Sequence, residues 1–483
     1  MARRREEFSS RWGLILASLG MAVGTGNIWR FPRVVAENGG GSFLLPWLLA
    51  LFFWSIPLLM VEFAIGKTTR KGTIGAFARL LGKRFAWMGG FVGVCTLAIL
   101  FYYSVVTGWC LRYFLSAALG RLSGDTESFW TSFADAGGWE PVLFHGLALG
   151  LGLIIIDRGV VRGIERANRV LIPALFLLLG VAAFRAVTLE GAARGLEFLF
   201  RPELHRLADH RIWLAALSQS AWSTGAGWGL ILTYACYMRR DEDIPLNSLV
   251  AGLGNNSASL LAAMAILPTV FAFLSTQEAL SVMKSGNNGL AFIWIPRLFA
   301  RIPAGGVFVT VFFLALSVAA LSSLIAMLEL GVRLFMDAGL SRRRGIVVVG
   351  STAFLLGIPS ALWMSVFENQ DWVWSVGLIV SGAFVAFAAL RYGVDRFRQE
   401  CINGLGSDLR VGKWFNILLV AVIPLEFGAM LAWWFFLSVT DFDRTGWWNP
   451  FHVSSVGTCL LQWGVVLSLL GLFNARLARW SHS

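Results

Sequence analysis

The chain has 483 residues, 57% of them hydrophobic and only 14% charged, with 22 Trp and 38 Phe. That balance is too apolar for a soluble domain and fits an all-α protein that crosses a lipid bilayer many times. Forty basic against 28 acidic residues leave a net charge of +12. These basic residues lie in short loops between apolar runs, so the positive-inside rule explains them and a nucleic-acid partner is not expected. The five cysteines show no CxxC and no metal-ligand spacing, and most fall within apolar runs, as core thiols do.

Twelve apolar stretches are each long enough to cross about 30 Å of hydrocarbon. They fall near 12–36, 42–67, 88–118, 142–157, 160–186, 211–238, 246–274, 307–337, 345–364, 372–392, 413–437 and 453–478. The fourth is short. Basic clusters at Arg3 to Arg5, Lys67 to Arg84, Arg158 to Arg169, Arg239-Arg240, Arg342 to Arg344 and Arg391 to Arg398 alternate with poorer loops such as 119–141 and 438–452. The asymmetry places both termini in the cytoplasm of a multi-pass protein of the cell inner or plasma membrane, although loop 187–210 has basic residues of its own. The charged N-terminus has no small-residue cleavage site before a long helix, so it does not read as a removed signal peptide.

The first span is interrupted. Leu19 to Pro32 reads LGMAVGTGNIWRFP, with Gly20, Gly24 and Gly26 followed by Asn27, Arg30 and Pro32. Glycine weakens a helix interior, and Asn and Arg are costly in lipid. An isolated GxxxG would permit close helix packing, and a lone Arg could snorkel. The whole string instead predicts a helix broken near the midplane. Its freed carbonyls can hold a cation, and the N–H groups opening its second half can hold an anion.

A second interrupted stretch, Ser218 to Gly229, occupies the sixth span and holds three glycines. The two breaks are five spans apart, so spans 1–5 and 6–10 read as two inverted five-helix repeats, with spans 11 and 12 added. The chain divides accordingly: an N-terminal segment 1–11, repeat one 12–186, an extracellular loop 187–210, repeat two 211–392, helices 11 and 12 over 393–478, and a tail 479–483.

The run Gly26-Asn27-Ile28-Trp29-Arg30-Phe31-Pro32, with Glu37 to Phe43 after it, resembles the first helix of the neurotransmitter:sodium symporter family. The resemblance runs through nearly the whole chain. It implies the leucine-transporter (LeuT-type) fold of twelve helices with helices 1 and 6 broken, and alternating-access symport of a small amino acid with Na+ at two sites. The first sodium site would use the Ala22 carbonyl, Asn27, Ser223 and Asn255. The second would use the Gly20, Val23 and Ala319 carbonyls with Ser322 and Ser323. Two serines in a membrane helix, taken alone, bond their own preceding carbonyls.

The substrate pocket implied is Met21, Ala22, Thr25, Gly26, Ile99, Tyr103, Trp222, Gly225, Trp228, Ser323 and Met327. Tyr103 and the Thr25 and Gly26 N–H groups would meet a substrate carboxylate. Gly24 replaces the Asp of monoamine-type members, which favours a substrate bringing its own acid. Ser223, Gly225, Trp228 and Gly229 match the glycine transporters, and the bulk of Trp228 favours glycine or alanine; Gly225, lacking a side chain, leaves room. Chloride would be held by Gln219, Ser223, Asn255 and Ser259, with Trp47 where the family has Tyr. Gate pairs fall at Arg30 with Asp371, where the spacing departs from the family pattern, and at Arg5 with Asp337. Gly163 and Pro173 match a pattern associated with unwinding of span 5 on the inner side. The chain offers no nucleophile–base arrangement or metal cluster, so an enzyme is not expected. A transporter of larger hydrophobic amino acids and a non-transporting sensor of the same fold are the alternatives.

Overall fold

The computed structural model describes residues 6–122, 125–135, 137–404 and 406–480. Among them there are helices and no strands. Nine helices are long and apolar enough to cross a membrane: Gly41–Thr69, Lys83–Ala118, Trp139–Asp157, Val160–Val187, Ile244–Phe273, Gly305–Asp337, Arg342–Leu362, Met364–Tyr392 and Trp414–Phe442. In sequence order these are spans 2 to 5 and 7 to 11. Span 1 is a broken pair, Arg11–Ala22 and Gly26–Glu37, bent by 56°. Span 12 is Val456–Leu472 and Asn474–Trp480, bent by 65°. Span 6 is His210–Ser223 and Leu230–Ala235. Broken spans thus hold corresponding places in the two halves. Span 10 starts earlier than its hydropathy indicates, at Met364, because the polar run Glu368 to Asp371 is helical.

The apolar side chains sort as a bilayer requires. Spans 11 and 12 turn Ile417, Val420, Leu425, Leu460 and Val465 outward. An exposed apolar belt of this kind is a lipid-facing surface. Spans 5, 7 and 8 surround the first half of span 1, and its break lies among them. The five cysteines are all buried and free.

The backbone explains why the breaks are stable. In span 6 the helix runs on through Ser218 to Ser223, so the break is shorter than the polar string suggests and covers only 224–229. Gly225, Gly227 and Gly229 all take positive φ there, at 71°, 87° and 76°, a region other residues enter only with strain. The fully buried Glu62 carboxylate accepts the Gly229 and Leu232 N–H groups, both at 3.1 Å, and so caps the second half-helix. Ser381 donates to the Gly227 carbonyl and Thr96 to the Trp228 carbonyl. Each bond satisfies a group that lipid could not.

The face carrying the N-terminus is sealed. The buried Phe8 packs on Tyr234, and its N–H donates to the Tyr237 carbonyl at 2.9 Å. Around it Glu6 meets Arg342 at 3.5 Å, Glu7 meets Arg70 at 3.8 Å and Arg11 meets Glu242 at 3.3 Å. Beneath them the fully buried Glu329 accepts from Tyr237 Oη at 2.6 Å and from Arg342 Nη1 at 3.1 Å. Removing one partner of a buried pair strands the other charge, at about 3–5 kcal/mol. Glu329→Ala should therefore lower the thermal unfolding midpoint in detergent sharply. Glu329→Gln, which still accepts from Tyr237, should lower it less.

Candidate substrate and ion site

The helix of span 1 stops at Ala22, and Val23 to Thr25 carry the chain to a π-type turn, Gly26–Arg30. Three N–H groups here find partners: Val23 N–H bonds the Leu19 carbonyl at 2.7 Å, Gly24 N–H the Asn27 Oδ1 at 2.9 Å, and Thr25 N–H the Tyr103 hydroxyl oxygen at 3.3 Å. The carbonyls are less well served. Those of Gly20, Met21 and Val23 lie 3.4, 3.3 and 3.5 Å from the single hydroxyl of Ser323. One hydroxyl carries one proton, so at least two of the three receive nothing from it. Ser322 is turned instead to the Ala319 carbonyl at 2.9 Å.

A second oxygen-rich point lies on the other side of the break. Asn27 Nδ2 donates to Asn255 Oδ1 at 2.7 Å and to Ser259 Oγ at 2.8 Å. Asn255 Nδ2 donates to Ser223 Oγ at 2.8 Å. Asn255 Oδ1 then faces the Ala22 and Ser223 carbonyl oxygens at 3.1 and 2.8 Å. Turning the amide would give those carbonyls a donor, but it would set its NH2 against Asn27 Nδ2 at 2.7 Å. Neither orientation satisfies every neighbour. Spans 2 and 6 pack together nearby. Trp47 Nε1 and both amide atoms of Gln219 are buried there without a hydrogen-bond partner.

Between these points lies a cavity of about 370 Å³. Met21, Ala22, Thr25, Gly26, Ile99, Tyr103, Trp222, Gly225, Trp228, Ser323 and Met327 all line it, so every expected pocket residue is brought to one place. A side chain at Gly26 would meet nothing, whereas a Cβ at Gly24 would stand 2.9 Å from Tyr103 Oη and 3.0 Å from Ser323 Oγ. The room expected beside Gly225 is already taken, because a Cβ there would lie 2.6 Å from Met21 Sδ. Met21 on span 1 fills what span 6 leaves.

The cavity continues past Trp29, Arg30 and Asp371 to Ser285–Asn288, on the face opposite the N-terminus. The expected gate pair is not joined: Arg30 and Asp371 make no ion pair within 4.0 Å. The Arg30 guanidinium lies instead 3.5 Å over the Trp222 ring, and Asp371 accepts from Tyr102 at 3.0 Å and Ser375 at 3.3 Å. The open cavity between them is the physical reason. On the other face, Arg5 lies outside the described residues. Asp337 is held there by Arg333 at 2.9 Å, Lys71 at 3.9 Å and the Gly72 N–H at 2.6 Å. Span 5 remains helical through Pro173 and is wound as a π turn over Val160–Glu165, around Gly163.

Sequence reasoning missed Glu62, Tyr102 and Ser375. Glu62 had a visible signal, an acid in the middle of an otherwise apolar span. Tyr102 and Ser375 had none, since their role depends on where Asp371 falls.

The fold and the cavity together define a membrane transport protein built on two broken helices. The description "Sodium:neurotransmitter symporter family" matches the chain over residues 5–132 and 128–475, and the chain belongs to that family. It is 32% identical over 452 residues to an uncharacterised sodium-dependent transporter of Methanocaldococcus jannaschii, covering 88% of this chain and 90% of that one. It is 27% identical over 481 residues to a sodium-dependent serotonin transporter of Drosophila melanogaster, covering 88% and 75%. The crystal structure of MhsT in complex with L-phenylalanine superposes with a TM-score of 0.78 at 32% identity, covering 89% of this chain and 99% of that one. The family is one of sodium-coupled transporters in membranes.

Proposed function

We propose that the protein carries a small amino acid, glycine or alanine ahead of leucine or tryptophan, across the cell membrane with sodium. The observation that carries this reading is the surplus of oxygen on both sides of the span 1 break. Sodium takes uncharged oxygens freed by a broken helix. The Ala22 carbonyl, Asn27, Ser223 and Asn255 form one such set. The Gly20, Val23 and Ala319 carbonyls with Ser322 and Ser323 form the other. A substrate carboxylate would enter the same cavity as the first set, where Tyr103, Thr25 and Gly26 line the wall. The face with the open cavity is then the outer one, and both termini are cytoplasmic. Asn27→Ala or Ser323→Ala should weaken sodium-dependent substrate binding in proteoliposomes. Full uptake in a choline buffer without sodium would overturn the sodium coupling, whereas sodium-dependent substrate binding with no uptake would leave the sensor reading.

The size claim rests on Trp222 and Trp228, and on Met21 occupying the space over Gly225. A missing methylene is worth only about 1–3 kcal/mol, so several small amino acids would share the site. The phenylalanine held by MhsT favours the rival reading of a larger substrate. Competition for uptake by glycine, alanine, valine, leucine, phenylalanine and tryptophan separates the two. Wild type should prefer the small ones, and Trp228→Ala should shift the order toward larger ones. Preference of the wild type for leucine, phenylalanine or tryptophan would reject the claim.

Chloride is the proposed second ion. Trp47 Nε1 and Gln219 Nε2 are buried N–H donors without acceptors. Ser259 uses its oxygen as an acceptor from Asn27, which leaves its hydroxyl proton free to turn to an anion. No acid stands at Ser259 to supply the negative charge that nearby sodium calls for. Uptake should fall when gluconate replaces chloride, and Ser259→Glu should remove that dependence. Unchanged wild-type uptake in gluconate would exclude the site.

A further inference from the structure

One wall of the substrate cavity is supported from outside the two repeats. Trp222 lines the cavity from span 6 and is fixed by three contacts. The Arg30 guanidinium of span 1 lies 3.5 Å over its ring, and its Nε1 donates to the Ser375 carbonyl of span 10 at 3.0 Å. The third contact is Trp434 of span 11, whose ring centroid is 4.8 Å from that of Trp222, with the planes tilted by 39°. Trp434 touches Trp222 but does not line the cavity, so it stands behind that wall.

Trp434 is built in as a fixed part. A tryptophan near the end of a span ordinarily sits at the membrane surface as an anchor. The adjacent Trp433 packs on the exposed His210 and Phe436. Trp434 instead turns inward, and its Nε1 donates to Ser218 Oγ at 3.1 Å. Ser218 is buried one helical turn before Trp222, on the same face of span 6. Trp372, the residue after Asp371, meets the Trp434 ring edge-on at 5.6 Å and donates its own Nε1 to the Ser455 carbonyl at 3.1 Å. The Trp434 indole is therefore wedged between span 6 and span 10. It cannot leave Trp222 without losing a hydrogen bond to one and an aromatic contact with the other.

We infer that Trp434 is a positioning residue for substrate size: it backs the Trp222 indole and keeps it from retreating before a larger side chain. The inference rests on the reading of this cavity as the amino-acid site.

The test measures sodium-driven uptake of glycine and of leucine by the full-length protein in proteoliposomes, each as maximal rate over KM. Trp434→Leu keeps span 11 apolar and removes the backing. It should raise the leucine-to-glycine ratio by about tenfold, through a lower KM for leucine with the KM for glycine near wild type. Ser218→Ala frees the Trp434 indole from its acceptor and should move the ratio by about threefold in the same direction. In a Trp222→Leu background, adding Trp434→Leu should leave the ratio unchanged, because the residue through which it acts is gone. An equal loss for both substrates in Trp434→Leu, as a packing role alone would give, would overturn the inference. So would a shift that persists in the Trp222→Leu background. Should Trp434→Leu fail to fold, Ser218→Ala decides, and an unchanged ratio there rejects the role. A wild type that prefers leucine would reject the small-substrate reading, while the change of ratio between wild type and variant would still decide the role of Trp434.

Discussion

A peptide group inside a bilayer must find its hydrogen-bond partner within the protein, because lipid supplies none. Two helices of this chain stop at mid-depth, and nearly everything around them answers to that constraint. At the span 6 break several backbone groups have fixed side-chain partners. Glu62 takes two N–H groups, while Ser381 and Thr96 serve two carbonyls. Three left-handed glycines let the backbone turn without strain. At the span 1 break the Val23, Gly24 and Thr25 N–H groups have partners, while on the carbonyl side Ser323 faces three oxygens with one proton. The two breaks thus differ in kind. One is a closed hinge with a fixed cap. The other has oxygens to spare, which is the property a cation carrier needs.

The two faces of the molecule are unequal for a related reason. On the N-terminal face Phe8 plugs the bundle under a lattice of ion pairs. Pairs at a surface contribute little singly, about 0–1 kcal/mol each. Here they close over a buried pair, Glu329 with Arg342, so the lattice is anchored in the core. The opposite face has the charges of a seal, Arg30 and Asp371, but each is engaged elsewhere.

Much of this was legible in the chain. Broken spans announce themselves because Gly, Asn and Arg are expensive in lipid, so their clustering at mid-span has few bland explanations. The family pattern then grouped the expected pocket residues, and the structure brings them to one cavity. What stayed hidden depends on three-dimensional neighbours. The polar string Ser218 to Gly229 looks unwound throughout, yet Ser218 to Ser223 is helical because its side chains have partners such as Ser55 and Trp434. Gly225 reads as free space until Met21 is seen to fill it.

Arg30 shows how these parts can be linked. Its guanidinium over the Trp222 indole is worth about 0.5–2 kcal/mol, depending on how dry the contact is. Trp222 is itself fixed by a bond from Nε1 to the Ser375 carbonyl at 3.0 Å, and Ser375 also holds Asp371. Arg30 therefore rests on a ring tied to the element that carries its expected partner. Closing the cavity requires Arg30 to exchange one favourable contact for another of similar size, so the gate by itself sets no strong preference between open and closed. A ligand shifts such a balance only by binding one state better. The oxygen sets of the proposed reading lie where span 1 meets spans 7 and 8. On that reading, sodium and substrate tip the balance only to the extent that each binds one arrangement better than the other.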